Sequence, residues 1–103
     1  MVQFKISITQ KAFSSIGEHV LFVRNVSLEA AKELYEETMT SFRSLSSFPE
    51  RHPEIQDLRI AGVRIRKMSI HNGRYVVLYK VDGDTVVIYD VVDSRKDNSI
   101  LKL

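Results

Sequence analysis

Residues 58–93 read LRIAGVRIRKMSIHNGRYVVLYKVDGDTVVIYDVVD, and this stretch decides the fold. Much of it alternates between apolar and polar side chains, as a strand with one buried face does. Asn72–Gly73 and Asp82–Gly83 are dipeptides typical of β-hairpins. Residues 75–78, between the two turns, are apolar on both faces, which is typical of a central strand that is covered on both sides. The stretch therefore predicts a three-stranded antiparallel meander.

The first strand of this meander changes phase partway along. Val63 and Ile65 point to one face of the predicted sheet, whereas Met68 and Ile70 have the opposite parity. We interpret the change at Arg66–Lys67 as a β-bulge, because an extra residue redirects the side chains that follow it.

The N-terminal half predicts one strand and two helices. Residues 4–8 alternate like a half-buried strand, and Thr9 and Ser27 are suitable N-caps for the helices that follow them. Apolar residues recur at helical spacing in both helices: Ala12, Phe13, Ile16, Val20 and Val23, then Leu28, Ala31, Leu34, Tyr35, Met39, Phe42 and Leu45. We predict an α+β fold in which an N-terminal strand, a helical hairpin and a three-stranded antiparallel meander form one small sheet. A chain of 103 residues fits a single domain over 1–103.

The charge is unevenly distributed along the chain. Residues 58–81 contain six Lys or Arg and no Asp or Glu, whereas residues 28–57 contain seven acidic and three basic residues. A sheet that carries so many bases without local carboxylates is expected to expose part of that charge, and such a surface attracts polyanions, most often nucleic acid. The alternative is that Arg64, Arg66 and Lys67 are solvated charges that protect a sheet edge from pairing.

Several classes of protein are disfavoured by composition. The chain has no Cys, which excludes disulfides and thiolate metal sites, and its three His are scattered, so we expect no metal and no cofactor. The N-terminus MVQFKISITQ lacks the pattern of a signal peptide. No apolar run reaches the roughly 18 residues that would suggest a membrane span. We therefore predict a cytoplasmic protein with no membrane partner.

Three segments, SLSSFPERHPE (44–54), GVRIRKMSI (62–70) and RYVVLYKVDGDTVVIYDVVDSRKD (74–97), carry a resemblance to a known family. In this order they resemble the RelE/ParE toxins of bacterial type II toxin–antitoxin systems. Members share a Phe-Pro loop after the second helix, an Arg-rich strand, a Tyr-x-x-x-Tyr strand, a Val/Ile strand and a following Arg. The resemblance implies a plasmid-stabilisation type of toxin that inhibits growth and forms a hetero-oligomer with a cognate antitoxin.

The resemblance leaves two mechanisms open. RelE-type members are ribosome-dependent mRNA endoribonucleases, also called mRNA interferases, whereas ParE-type members inhibit DNA gyrase without chemistry of their own. The first reading implies catalytic roles for Arg74 and Arg95, and RNA binding by Arg64, Arg66, Lys67 and Lys96. Val76 stands where the ribonucleases usually have Arg, and residues 97–103 contain no Tyr or His. These departures favour the second reading, or a nuclease-derived protein of reduced activity. A general RNA-binding relative is a third possibility.

Two further expectations concern contacts. Arg95 could pair with Asp93 or Asp90 instead of acting on a substrate. The antitoxin is expected to cover an apolar patch beside the basic sheet, for which the candidates are Leu21 and Phe22 in the first helix and Ile100, Leu101 and Leu103 in the tail. Acidic, flexible partners suit such a surface because their charge complements it.

Overall fold

The computed structural model describes residues 3–96. A short strand, β1 (Lys5–Ile8), precedes two helices, α1 (Gln10–Arg24) and α2 (Leu28–Ser44), and a short 3-10 helix (Pro49–Arg51) follows them. Four strands complete the fold: β2 (Glu54–Ile60), β3 (Val63–Ile70), β4 (Tyr75–Asp82) and β5 (Thr85–Asp93). The predicted α+β class and the order of strand, helical hairpin and sheet are confirmed.

Both helices begin at the predicted caps. The Thr9 hydroxyl accepts a hydrogen bond from the Ala12 N–H at 3.1 Å, and the Ser27 hydroxyl accepts one from the Ala30 N–H at 3.1 Å. These bonds satisfy backbone donors that have no partner inside the helix. The Thr9 hydroxyl also donates to the Tyr89 carbonyl on β5 at 2.8 Å, so the cap fixes α1 to the sheet.

The strands form one sheet in the order β1-β5-β4-β3-β2. β1 runs parallel to β5, and the other neighbouring pairs are antiparallel. The helices pack on one face, over a core whose buried members include Ile16, Leu34, Phe42, Met68, Tyr75, Val77, Tyr79 and Ile88. A smaller cluster contains Ile55, Ile65, Val76, Leu78 and Val92. Because neighbouring residues of a strand point to opposite faces, this second cluster lies on the face away from the helices.

The meander has four strands, and the prediction of three was wrong in this respect. The additional strand is β2, which pairs with β3 at the edge of the sheet. The sequence of β2 does not show the regular alternation of a strand, because Asp57 has a φ of 64° and the register with β3 shifts between Glu54 and Arg59. The turn that follows uses Ala61 and Gly62 at φ 55° and 81°, and Ala is not a residue that marks such a turn.

The predicted bulge at Arg66–Lys67 was also wrong. β3 pairs with β4 without interruption from Arg66 opposite Tyr79 to Ile70 opposite Tyr75. The parity changes because β3 buries side chains on both faces: Ile65 belongs to the second cluster, whereas Met68 packs under the helices. The irregular registers lie elsewhere, on β2 and between β4 and β5.

The apolar stripes of the helices are only partly buried. Ala12, Ile16, Leu34 and Phe42 are buried as expected. Phe13, Leu28 and Tyr35 share the predicted stripes but are exposed by 54%, 56% and 50%. Within residues 3–96, neither helix is long and apolar enough to span a membrane.

Candidate functional site

The predicted basic residues fall into two groups rather than one patch. Arg66 lies opposite Tyr79 on β4, and Arg74 lies five residues before Tyr79 in the sequence. At the rise of a strand, this offset is about 16 Å. Arg64 and Arg66 form the first group, and Arg74, Arg95 and Lys96 form the second, which we name the basic corner. Lys67 lies opposite Leu78, hence on the face away from the helices.

The first group has a carboxylate partner that is distant in sequence from both arginines. Arg64 Nε lies 3.7 Å from Glu54 Oε1, and an Arg66 terminal nitrogen lies 3.4 Å from Glu54 Oε2. Pairing of β2 with β3 places Glu54 directly opposite Arg66. Residues 58–81 contain no carboxylate, but strand pairing brings Glu54 close to Arg64 and Arg66. The expectation that the charge of these two arginines is uncompensated is therefore wrong.

Arg66 also has a structural role at the Phe-Pro loop (residues 46–53). Its guanidinium donates to the carbonyls of Glu50 at 3.0 Å and His52 at 2.7 Å. Arg51 donates to the carbonyls of Ser47 at 2.6 Å and Phe48 at 3.1 Å. These carbonyls would otherwise need water molecules as hydrogen-bond donors. Both arginines therefore stabilise the Phe-Pro loop.

The loop presents an aromatic side chain to solvent. Phe48 has a left-handed backbone with φ 48°, and 74% of the residue is exposed. The next residue, Pro49, is buried, and its carbonyl accepts a hydrogen bond from the hydroxyl of Tyr79. Burial raises the pKa of Tyr79 to about 12, so this hydroxyl stays protonated at neutral pH and is suited to packing rather than proton transfer.

At the basic corner, Arg95 pairs with Asp93, one of the two carboxylates expected as its alternative partner. Arg95 Nε and a terminal nitrogen donate to the two carboxylate oxygens of Asp93 at 3.1 and 2.9 Å, and the Arg95 backbone N–H donates to the same group at 2.9 Å. The side chain of Asp93 is 7% exposed and that of Arg95 is 55% exposed. The hydrogen bond from Arg95 is the main reason that the pKa of Asp93 falls to about 2.

Ser94 holds this turn against the start of β4. Its N–H donates to the Arg74 carbonyl at 2.9 Å, and its hydroxyl donates to the Gly73 carbonyl at 2.7 Å. These bonds connect the segment after β5 with the turn before β4, so Arg74 and Arg95 are held at the same end of the sheet.

Arg74 packs against an aromatic ring at the basic corner. Its guanidinium carbon lies 5.7 Å from the centre of the Tyr75 ring, a distance at which a cation is attracted to an aromatic face. Its Nε is buried and has no hydrogen-bond partner within residues 3–96. Unsatisfied donors of this kind are uncommon in folded proteins.

The third cation of the corner touches an exposed apolar surface. Lys96 Nζ lies 5.4 Å from the centre of the Phe22 ring. Phe22 belongs to the hairpin tip, which we define as Leu21, Phe22, Val26 and Leu28 and whose exposed fractions are 58%, 53%, 85% and 56%. The predicted candidates Leu21 and Phe22 are thus exposed, whereas Ile100, Leu101 and Leu103 lie outside the described residues.

The three histidines are engaged in packing or hydrogen bonds. His19 Nε2 donates to the Val91 carbonyl at 2.8 Å. His71 contacts Glu37 on α2 through Nδ1 at 3.0 Å. Desolvation lowers the pKa of His52, with a further contribution from the charge of Arg51. None of these bonds places a histidine in hydrogen-bond contact with the guanidinium groups of the basic corner.

Sequence reasoning did not identify Glu54 as a partner of the basic strand. The local sequence contains no signal for this contact, because Glu54 and Arg66 are brought together by strand pairing. The Asp93-Ser94-Arg95 spacing did carry a signal, since an acid two residues before an arginine can form an Asx-type turn. The exposed residues Val26 and Phe48 were also missed, because apolar side chains in loops have no periodicity to analyse.

Comparisons with known proteins point to one family. A family model described as the ParE toxin of the type II toxin–antitoxin system parDE matches residues 6–98. A chain of the chromosomal ParDE toxin–antitoxin system from P. aeruginosa has a TM-score of 0.67 and 13% identity, over 88% of this chain and 96% of that chain. A chain of the RelBE2 toxin–antitoxin complex from Mycobacterium tuberculosis has a TM-score of 0.58 and 24% identity, over 90% of this chain and 93% of that chain. No curated protein matches the sequence. At these identities the solved structures show the shared fold alone.

Proposed function

Because the chain belongs to the ParE toxin family of type II toxin–antitoxin systems, we propose that it inhibits bacterial growth by binding DNA gyrase rather than by cleaving RNA. A cognate antitoxin neutralises it by covering the surface formed by the hairpin tip and the basic corner. The gyrase target follows from the resemblance to ParE-type toxins.

The observation that carries this proposal is the ion pair between Asp93 and Arg95. RNA cleavage builds negative charge at the phosphate, and guanidinium groups accelerate it when they are directed at that charge. In this chain the Arg95 charge is compensated by a carboxylate that is itself almost completely buried. An arginine compensated in this way is poorly suited to stabilise a transition state, whereas it can stabilise a turn at a binding surface.

The contacts of Arg66 and Tyr79 support the same conclusion. Arg66 is bound to two loop carbonyls and to Glu54, so releasing it for RNA would disturb the Phe-Pro loop. The Tyr79 hydroxyl is bound to Pro49. General acid–base catalysis needs a group within hydrogen-bond reach of the reacting atoms, and Tyr79 and Arg66 both point into the protein's own backbone.

The ribonuclease reading is retained as a second candidate because of Arg74. Its side chain is half-buried and lies at the same end of the sheet as Arg95, and a guanidinium group can bind phosphate. In this reading, Arg74 and Arg95 lie near the scissile phosphate, and Lys67 and Lys96 contribute to RNA binding.

Expression of the chain alone in a bacterial host separates the readings. We expect growth arrest, accumulation of gyrase–DNA breaks and inhibition of supercoiling by purified gyrase, without codon-phased cuts in messenger RNA. The Arg95→Ala variant should retain this inhibition. Codon-phased cuts that disappear in Arg95→Ala would establish the ribonuclease instead. The absence of any arrest would contradict the proposed toxicity.

The antitoxin surface has its own test. The double variant Leu21→Gln and Phe22→Gln should still arrest growth, but co-expression of the adjacent small gene should no longer restore it. Phe13→Gln is the control, because Phe13 is about as exposed as Phe22 and lies on the opposite side of α1 from Phe22, more than two turns closer to the N-terminus. Full rescue of the double variant would show that the antitoxin binds elsewhere.

A further inference from the structure

The side chain of Phe48 projects into solvent from a loop that is held by several hydrogen bonds. The residue is 74% exposed, so its ring adds little to the core. Its backbone lies in the left-handed region at φ 48°, where a bulky side chain is strained against its own backbone. Arg51 donates to the Phe48 carbonyl at 3.1 Å, and Tyr79 donates to the carbonyl of the next residue, Pro49. Because backbone strain maintained by surrounding contacts is concentrated at functional sites, the exposed ring is a candidate contact for a partner.

A groove of about 480 Å³, which we name the loop groove, lies beside this loop and is flanked by the hairpin turns at Gly62 and Gly83. Its charged lining consists of two carboxylates and two guanidinium groups, those of Glu50, Glu54, Arg64 and Arg66. Their formal charges cancel, and Glu54 contacts both arginines. A nucleic acid is attracted by cations that are not compensated, so the loop groove is suited to a partner of low net charge, such as the surface of a folded protein.

Phe48 and the loop groove lie at the opposite end of α2 from the proposed antitoxin surface. α2 begins at Leu28, which belongs to the hairpin tip, and ends at Ser44, four residues before Phe48. Its 17 residues span about 25 Å. A partner that binds Phe48 therefore contacts a surface that an antitoxin on the hairpin tip leaves open.

We propose that Phe48 and the loop groove form the surface through which the toxin binds its target, a folded protein with a preformed apolar pocket that receives the Phe48 ring. This assignment rests on the proposed function, in which the target is DNA gyrase, and adds the surface of this chain that contacts it. Aromatic side chains that fill pockets supply much of the binding energy at protein interfaces. A ring that is already held in position loses little conformational freedom on binding, which favours a preformed pocket over a flexible antitoxin segment.

Phe48→Gly distinguishes a binding role from a structural one. Gly adopts the left-handed backbone freely, so the urea midpoint should not fall, whereas loss of the ring should weaken inhibition of gyrase supercoiling roughly tenfold or more. Phe48→Tyr keeps an aromatic ring and should retain most of the inhibition. Phe48→Gln and Phe13→Gln form a matched pair, because both remove an exposed Phe. Only the first of these two variants should weaken inhibition.

Glu50→Arg tests the kind of partner that the loop groove receives. Glu50 is exposed, and the substitution replaces a carboxylate of the groove with a cation. Against a protein surface of low net charge, the added cation loses water without gaining a counter-ion, so inhibition should weaken. Against a nucleic acid, the same cation strengthens binding, so stronger inhibition by Glu50→Arg would overturn the proposal.

Growth of the induced host is recorded beside the supercoiling assay, and antitoxin binding is measured by co-purification with the product of the adjacent small gene. Phe48→Gly should lose growth arrest and still bind the antitoxin. Equal arrest by the native chain and Phe48→Gly, or loss of antitoxin binding together with arrest, would overturn the proposed surface. Absence of arrest by the native chain would instead contradict the proposed function and remove the premise of this surface, so the two failures are distinguishable.

Discussion

Replacing Tyr79 with Phe tests the most deeply buried hydrogen bond between the sheet and the Phe-Pro loop. Tyr79 is 0% exposed, and its hydroxyl donates to the buried carbonyl of Pro49. The variant keeps the ring but leaves that carbonyl unsatisfied, which costs about 1–3 kcal/mol of unfolding free energy at neutral pH.

The penalty of Tyr79→Phe should depend on pH, with a sign fixed by the pKa of Tyr79. Burial raises this pKa to about 12, against about 10 for an unfolded chain. Between these values the folded state holds a proton that the unfolded state has released, so the native protein loses stability as pH rises. At pH 11 the loss amounts to about 1.4 kcal/mol. The variant lacks this group, so its penalty relative to the native protein should shrink by that amount.

Urea unfolding of both proteins at pH 7 and pH 11 measures this difference directly. Tyr35→Phe is the control, because Tyr35 is 50% exposed and the same chemical change there should have a small effect that is independent of pH. Lysines and the other tyrosines titrate equally in both proteins, so they cancel in the comparison. A penalty for Tyr79→Phe that is the same at both pH values would refute the assignment of a buried, protonated hydroxyl.

Four further substitutions test the surroundings of the site. Phe48→Gly should raise the free energy of unfolding by up to about 1 kcal/mol, because Gly adopts the left-handed backbone without strain. A lower urea midpoint for the variant would show that the backbone of Phe48 is not strained. Arg66→Met should lower the free energy of unfolding by about 1–2 kcal/mol, because it removes two hydrogen bonds to loop carbonyls. Arg64→Met removes only a surface ion pair and should change the free energy of unfolding by less than about 1 kcal/mol. Glu37→Gln should destabilise the protein more at pH 7 than at pH 3: the hydrogen bond from His71 lowers the pKa of Glu37, so its stabilising effect is complete above the ordinary carboxyl pKa and is lost as the pH falls through the lowered pKa. Equal effects at both pH values would rule out this contact.

Local patterns predicted the elements whose signals are contained in a few neighbouring residues. Thr9 and Ser27 cap their helices because a hydroxyl at that position reaches an N–H three residues later. Strand β2 was missed because the left-handed Asp57 interrupts its alternation. The parity change in β3 was misread as a bulge because buried side chains on both faces produce the same sequence pattern as an inserted residue.

The candidate site was predicted less completely than the fold. Arg95 was identified from the family resemblance, and its pairing with Asp93 or Asp90 was named as an alternative. The compensation of Arg64 and Arg66 by Glu54 was not foreseen. Neither was the use of Arg66 and Arg51 to hold the Phe-Pro loop, because hydrogen bonds to backbone carbonyls leave no pattern in the sequence.

The sequence by itself determined the α+β class, the helix caps, two of the hairpin turns and the family to which the chain belongs, since these depend on spacing within short segments. Only the tertiary structure decided which basic side chains are compensated and which remain available. The physical reason is that an ion pair depends on distances of a few ångströms between side chains, and strand register rather than proximity in sequence sets those distances for Glu54 and Arg66.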